Sequence, residues 1–272
     1  MKSDFAITIE NDSREPLTID VAKNPVVHVK KGAEAELLIE ERASGQGHVR
    51  IVVDEEASLR LFALSMIEEG QSHALTAEIE LADKARLFFH DIQLSLGHFG
   101  LNAQVMLNGE HAKFSYGGLQ LLKGAAKSGT ELEIAHQGAH SESTQAFRGI
   151  YGGSSQGLFL GKVVVGEKAR QCSAEQLYKA VLLSKDAEAL VRPQLEINNR
   201  HIKASHGASI GMLDEEALFY LCSRGLSKVE AKTLLVQSLA RAILDQMGES
   251  KLALRLLARI ESAILNSMAV LP

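Results

Sequence analysis

Tryptophan is absent from the 272 residues, aromatic residues make up only 5%, and there are four prolines and two cysteines. Each shortage excludes something. Sugar clefts commonly stack their ligands on broad aromatic rings, so the scarcity of such rings counts against a carbohydrate site. Few prolines argue against long disordered linkers. Two cysteines far apart, Cys172 and Cys222, do not form a disulfide framework, and a reducing cytoplasm is the simpler setting. No run of about 18 apolar residues occurs, so no membrane-spanning helix is expected. Basic runs are missing as well: Lys30-Lys31 is the longest, and with a net charge of −5 a broad nucleic-acid surface is not expected. From Met1 to Arg14 the chain carries Asp4, Glu10 and Asp12 and lacks the apolar core of a secretory leader, so none is expected.

The signatures of common enzyme classes are also missing. There is no P-loop, no G-x-G-x-x-G after a strand, no H-E-x-x-H and no C-x-x-C. Gly149-Ile150-Tyr151-Gly152-Gly153 is glycine-rich but follows a polar segment, and reads as a turn.

What is present divides into two regions, 1–212 and 213–272. In the first, short runs alternate apolar and polar residues: Ala35–Ile39, Ser58–Phe62, Ala77–Leu81, Arg86–Phe89 and Thr130–Ile134. Period-2 alternation puts one face on a core and the other in water. The runs are punctuated by a recurring small-residue pair, at Gly32-Ala33, Glu56-Ala57, Lys84-Ala85, His111-Ala112, Gly129-Thr130, Lys168-Ala169 and Asp186-Ala187. Several gaps of some twenty residues suit a β-solenoid, whose coils bury their inner faces on one another. A β-sandwich with turns at similar spacing fits the same pattern.

After Gly211 the spacing becomes helical. Asp214 caps a first helix through Leu218 and Leu221, ended by Gly225. Ser227 and Glu230 form a capping box for a second, with an apolar stripe of Val229, Leu235, Leu239 and Ile243. A third, about 250–268, carries Leu252, Leu256, Ile260 and Ile264. These stripes pack on the β region and on one another, or present one face to another protein.

Three candidate sites stand out. His136 and His140 are four apart, a loose metal-ligand spacing. Cys172 stands near Lys168 and Arg170, cations of the kind that favour a thiolate. His206 lies in Ala204-Ser205-His206-Gly207-Ala208. Cysteine and histidine both ligate iron and iron–sulfur clusters, but buried cysteines are often inert. Cys222, within Leu218–Cys222, reads as such a core residue.

Four ordered segments make the reading specific: Pro193–Ile197, Ile202–Gly211, Leu213–Leu221 and Ser223–Leu226. With Phe147–Gly149 and Gly157–Lys162 upstream, they resemble the SufB/SufD family, the scaffold subunits of SUF-type iron–sulfur cluster assembly. The strong match runs from Ser141 to Leu244; the N-terminal part matches in style.

The resemblance implies a right-handed parallel β-helix followed by a C-terminal helical domain. It implies pairing through the β-helices, here as a homodimer, and docking of a SufC-like ABC-type ATPase on the C-terminal helices. A nascent iron–sulfur cluster is then held at the pairing interface. His206 matches the interface histidine of SufD, and Cys172 matches the place of the SufB cluster cysteine, so one chain carries both ligands. Ala204 stands where many SufD relatives have cysteine, Ser205 replaces an acidic residue of SufB, and the upstream sulfur-entry cysteine and N-terminal helical extension have no counterpart. The rivals are a purely structural partner of the ATPase and a β-helix enzyme acting on polysaccharides. The last needs paired carboxylates, and none stand out; pectin or alginate would reveal its activity.

Overall fold

The structure, a computed structural model, describes residues 6–12 and 15–268. Half of the segment expected to lack a leader, 1–5 and 13–14, lies outside the described residues, as does 269–272. The chain winds between two eight-stranded sheets, taking one strand in each alternately. The first holds β1 (Ala6–Ile9), β3 (Val26–Val29), β5 (Gly45–Val53), β7 (Ser72–Leu81), β9 (His98–Leu107), β11 (Lys127–His136), β13 (Gln156–Val165) and β15 (Glu188–Ile197). The second holds β2 (Leu17–Ile19), β4 (Glu34–Glu41), β6 (Ser58–Ser65), β8 (Arg86–Gln93), β10 (Lys113–Leu122), β12 (Glu142–Tyr151), β14 (Cys172–Leu182) and β16 (Ile202–Met212). Neighbouring strands in each sheet run parallel, as between β4 and β6, β11 and β13, and β14 and β16. This is a parallel β-solenoid; the sandwich alternative falls. All five alternating runs lie inside strands.

The recurring pair has a physical explanation. Glu56, Lys84, His111, His140 and Gln171 take positive φ between 56° and 59°, a left-handed corner that redirects the chain into the second sheet. The next residue turns inward, and the coil register stacks these residues in one column: Ala33, Ala57, Ala85, Ala112, Ser141, Cys172. All six are buried. The corner leaves room for a small side chain only. Three pairs are different cases: Gly129-Thr130 falls inside β11, with Thr130 buried in the lumen, Lys168-Ala169 lies ahead of the Gln171 corner, and Asp186-Ala187 leads into β15 of the first sheet.

The lumen is not uniformly apolar. Asp91 is buried, and its Oδ2 accepts from Gln93 at 2.6 Å, Tyr116 Oη at 2.9 Å and Thr130 at 3.3 Å. Burial pushes its carboxyl up to about 6 and lowers the His90 and His136 imidazoles to about 4. The raised Asp91 gives stability that is full below its ordinary 3.8 and is lost as the pH rises through about 6. The two lowered histidines give stability that is full above 6.5 and is lost as the pH falls towards about 4. Among these three the two histidines outweigh Asp91, so together they make unfolding take up protons between pH 4 and 6 and weaken the fold on acidification. Asp91→Asn removes the opposing contribution, and urea midpoints measured against pH should then fall more steeply with acid than in the wild type. An unchanged or shallower slope would contradict this assignment.

Helices α1 (Glu215–Ser223), α2 (Lys228–Leu244) and α3 (Lys251–Met268) follow β16. Asp214 accepts from Ala217 N–H, and the Ser227/Glu230 capping box forms. Leu252, Leu256, Ile260 and Ile264 of α3 are buried, as their spacing predicts. In α2 the buried stripe is Val236, Ala240, Ile243 and Leu244, and the expected Val229 is 46% exposed. The buried face is rotated by about one residue, because the helix packs on β10 and β12 rather than on α3 alone. Cys222 is half-buried rather than a core residue; α1 buries no side chain.

The α2–α3 face shares one core with the outer face of the second sheet, including Leu38, Phe62, Leu64, Ile92 and Leu119. Arg259 adds a two-pronged ion pair to Glu40, with its shorter arm at 2.6 Å, and this holds the Glu40 carboxyl below its usual range. Leu256→Ala should therefore cost about 2–5 kcal/mol, as deletions in well-packed cores do. Chemical denaturation checks it; a cost below about 1 kcal/mol would mean that the helices are loosely attached.

Candidate functional site

The last coil, β15 and β16, ends both sheets, and among the described residues no strand follows to cover it. Edge strands present unpaired backbone donors and acceptors, and long exposed ones invite pairing with another chain. Here they are 10 and 11 residues long. Ile197, Ile210 and Met212, which register places on the inner face, are 42–55% exposed there, while Leu190 and Leu177 lie on the outer faces of their strands. This is an apolar end that water does not favour.

Register fixes which side chains face the lumen at this end. Cys172, Ala174, Gln176, Tyr178 and Ala180 are the buried inner face of β14. Their partners in β16 are Ile202, Ala204, His206, Ala208 and Ile210. His206 is thus the one polar side chain among these, set in the middle of an apolar inner face that the next coil would have covered.

Cys172 faces the same lumen one coil further in. It occupies the small-residue corner column, which explains why its thiol lies inside the solenoid and only 2% exposed. Sγ lies 3.2 Å from Ser141 Oγ, 3.4 Å from Gly138 O and 3.6 Å from Arg170 O. It meets the backbone of Arg170 rather than the guanidinium. An open cleft of about 730 Å3 reaches Cys172 from the start of β16, lined also by Gln171, Arg200, His201 and Lys203. His201 was not singled out by sequence; only its place just ahead of the Ile202–Gly211 segment marks it.

The chain does not bring Cys172 and His206 together. Cys172 pairs with Ile202, four residues before His206. At about 3.3 Å per residue and about 4.8 Å between strands, their α-carbons stand roughly 14 Å apart with side chains perpendicular to the strands. A single iron, with ligand bonds of about 2.3 Å, does not span that. Among the described residues, no group of three or more His, Cys, Asp or Glu is placed to hold a metal ion.

The other histidine candidates separate. His136 is buried, bonded to Ser141 Oγ and Ser143 Oγ at 2.8 Å each. His140 turns outward and stacks on His111, ring centroids 4.7 Å apart. The strand ends at His136, so the two do not share a face.

On the helical side, a groove of about 660 Å3 runs between α1, α2 and α3, lined by Tyr220, Leu221, Leu234, Leu235 and Leu265 among others. Phe219, also on α1, is 76% exposed. No described helix is long and apolar enough to cross a membrane.

A parallel solenoid with an open last coil, a histidine on its inner face and a helical unit packed on one sheet defines a β-solenoid protein with a C-terminal helical region. Residues 11–239 match the family described as SUF system FeS cluster assembly, SufBD core domain, and the chain belongs to that family. It is 33% identical over 70% of its length to an iron–sulfur cluster assembly SufBD family protein of Synechocystis, covering 42% of that protein. It is 27% identical over 75% of its length to the iron–sulfur cluster assembly protein SufD of Escherichia coli, covering 48% of it. A SufBD family protein of Mycobacterium leprae is 25% identical over 96% of this chain, which covers 72% of that relative. The chain thus spans less than half the length of the first two relatives. The family's role is in iron–sulfur cluster assembly.

Proposed function

We propose that this chain is a non-catalytic scaffold on which iron–sulfur clusters are assembled as cargo. On this reading it is a cytoplasmic homodimer closed at the last coil, with residues 213–272 serving as the docking unit for a SufC-like ABC-type ATPase. The observation that carries the reading is the open coil itself: edge strands, exposed apolar side chains and His206 on one surface.

Cys172 and His206 are the proposed ligands. One of each is too few, because clusters generally take about four protein ligands. A two-fold interface presents the same patch twice and so supplies two of each. The roughly 14 Å between them within one chain is a further reason for a second copy: ligands from the two copies complete a site that neither holds alone. Cys172 is reached through the cleft beside His201, and release of its bonds to Ser141 and Gly138 frees the thiol.

The pairing is tested by Ile210→Glu. A charge on that inner face should halve the mass seen by analytical ultracentrifugation while leaving the circular dichroism spectrum unchanged. A variant that stays dimeric would refute pairing through the last coil.

A further inference from the structure

Gln176 lies directly beneath His206 in the lumen column, since the two are register partners in adjacent strands. It is only 1% exposed. Its amide nitrogen is committed: it donates to Gly161 O at 3.1 Å and to Tyr178 Oη at 2.9 Å, with Gln145 Oε1 more distant at 3.5 Å. A backbone carbonyl only accepts, so the contact with Gly161 O settles which end of the amide is nitrogen. Tyr178 Oη in turn donates to Gln145 Oε1 at 2.5 Å. This network holds Gln176 in one orientation. Its Oε1 is buried and has no hydrogen-bond partner. An acceptor left so costs about 1–3 kcal/mol, and such groups call for a donor. Gly161, Tyr178 and Gln145 occupy the nitrogen side, and the next side chain in the column, in the last coil, is His206.

We infer that Gln176 is the positioning residue for His206: its Oε1 accepts the N–H of the imidazole when the end of the solenoid is closed, and so fixes which ring nitrogen is presented at the interface. This rests on the reading of His206 as a ligand given above. A ligating histidine commonly donates its second nitrogen to an oxygen, which sets both tautomer and ring orientation. Ala204 and Ala208, its inner-face neighbours in β16, offer no competing side-chain acceptor.

Long-range 15N–1H correlation spectra of the full-length, histidine-labelled, metal-free protein at alkaline pH read the tautomer, with His206→Ala assigning the signal. The wild type should show one His206 tautomer favoured by about tenfold, the preference one net hydrogen bond supports. Gln176→Met, similar in volume but without the acceptor, should return the ring to a mixture while keeping the melting temperature within a few degrees. It should also lower iron–sulfide absorbance after reconstitution. A mixture of tautomers already in the wild type, which needs no variant to fold, overturns the inference, as does a preference unmoved in Gln176→Met. If the tautomer responds but His206→Ala loads iron and sulfide normally, the Gln176 contact stands and the ligand reading falls.

Discussion

Cys172→Ser should lose most of the visible absorbance that the wild type gains on anaerobic reconstitution with ferrous iron and sulfide, whereas Cys222→Ser should keep it. Serine has nearly the volume of the thiol and suits a corner column that already holds Ser141, so the solenoid should fold unchanged. What is removed is the soft thiolate that iron–sulfur clusters select. Altering a mere supporting residue of a metal ligand costs about 10–100-fold in affinity, and removing the ligand itself should cost at least that. Cys222 lies on α1, a helix that buries no side chain, on a different element from the open coil. Equal absorbance in Cys172→Ser and wild type would mean that the buried thiol is structural only.

The second large effect concerns the ATPase. Phe219→Asp combined with Leu234→Asp should abolish co-purification with a SufC-like ATPase. Leu234 lines the groove between the helices and is 48% exposed, and Phe219 on α1 is 76% exposed. Anchors of this kind carry about 2 kcal/mol or more each at protein interfaces, so losing two lowers affinity by roughly a thousandfold. Deleting everything after Leu226 is a poorer test, because it would strip α2 and α3 from Leu38, Phe62 and Ile92 and expose the sheet. Retained binding by the folded double variant would move the docking surface elsewhere.

Much of the fold was legible in the sequence because alternation and corners are local. The runs Ala35–Ile39 and Thr130–Ile134 announce strands through side-chain period alone, and Ser227 with Glu230 announces a helix start. The stacking order was not local. Nothing in Gln171-Cys172 says that this pair continues the column of His111-Ala112, since the inner residue is not alanine. The resemblance puts Cys172 at the pairing interface; the register places its thiol in the lumen, one coil in from the open end. The face of α2 was misjudged by one residue for a related reason: what buries it is β10 and β12, distant in sequence. His206 was found through family resemblance; its place on the lumen face follows from its pairing with Gln176, which no period in the sequence encodes.

The central claim is that two copies of this chain, closed at the last coil, hold a cluster between them. Native mass spectrometry of the full-length protein after anaerobic reconstitution tests it most directly. The account predicts a dimer carrying one cluster's mass of iron and sulfide, with the metal lost when Ile210→Glu separates the copies. A monomer that holds the cluster by itself, or a dimer that stays free of iron and sulfide, would contradict it.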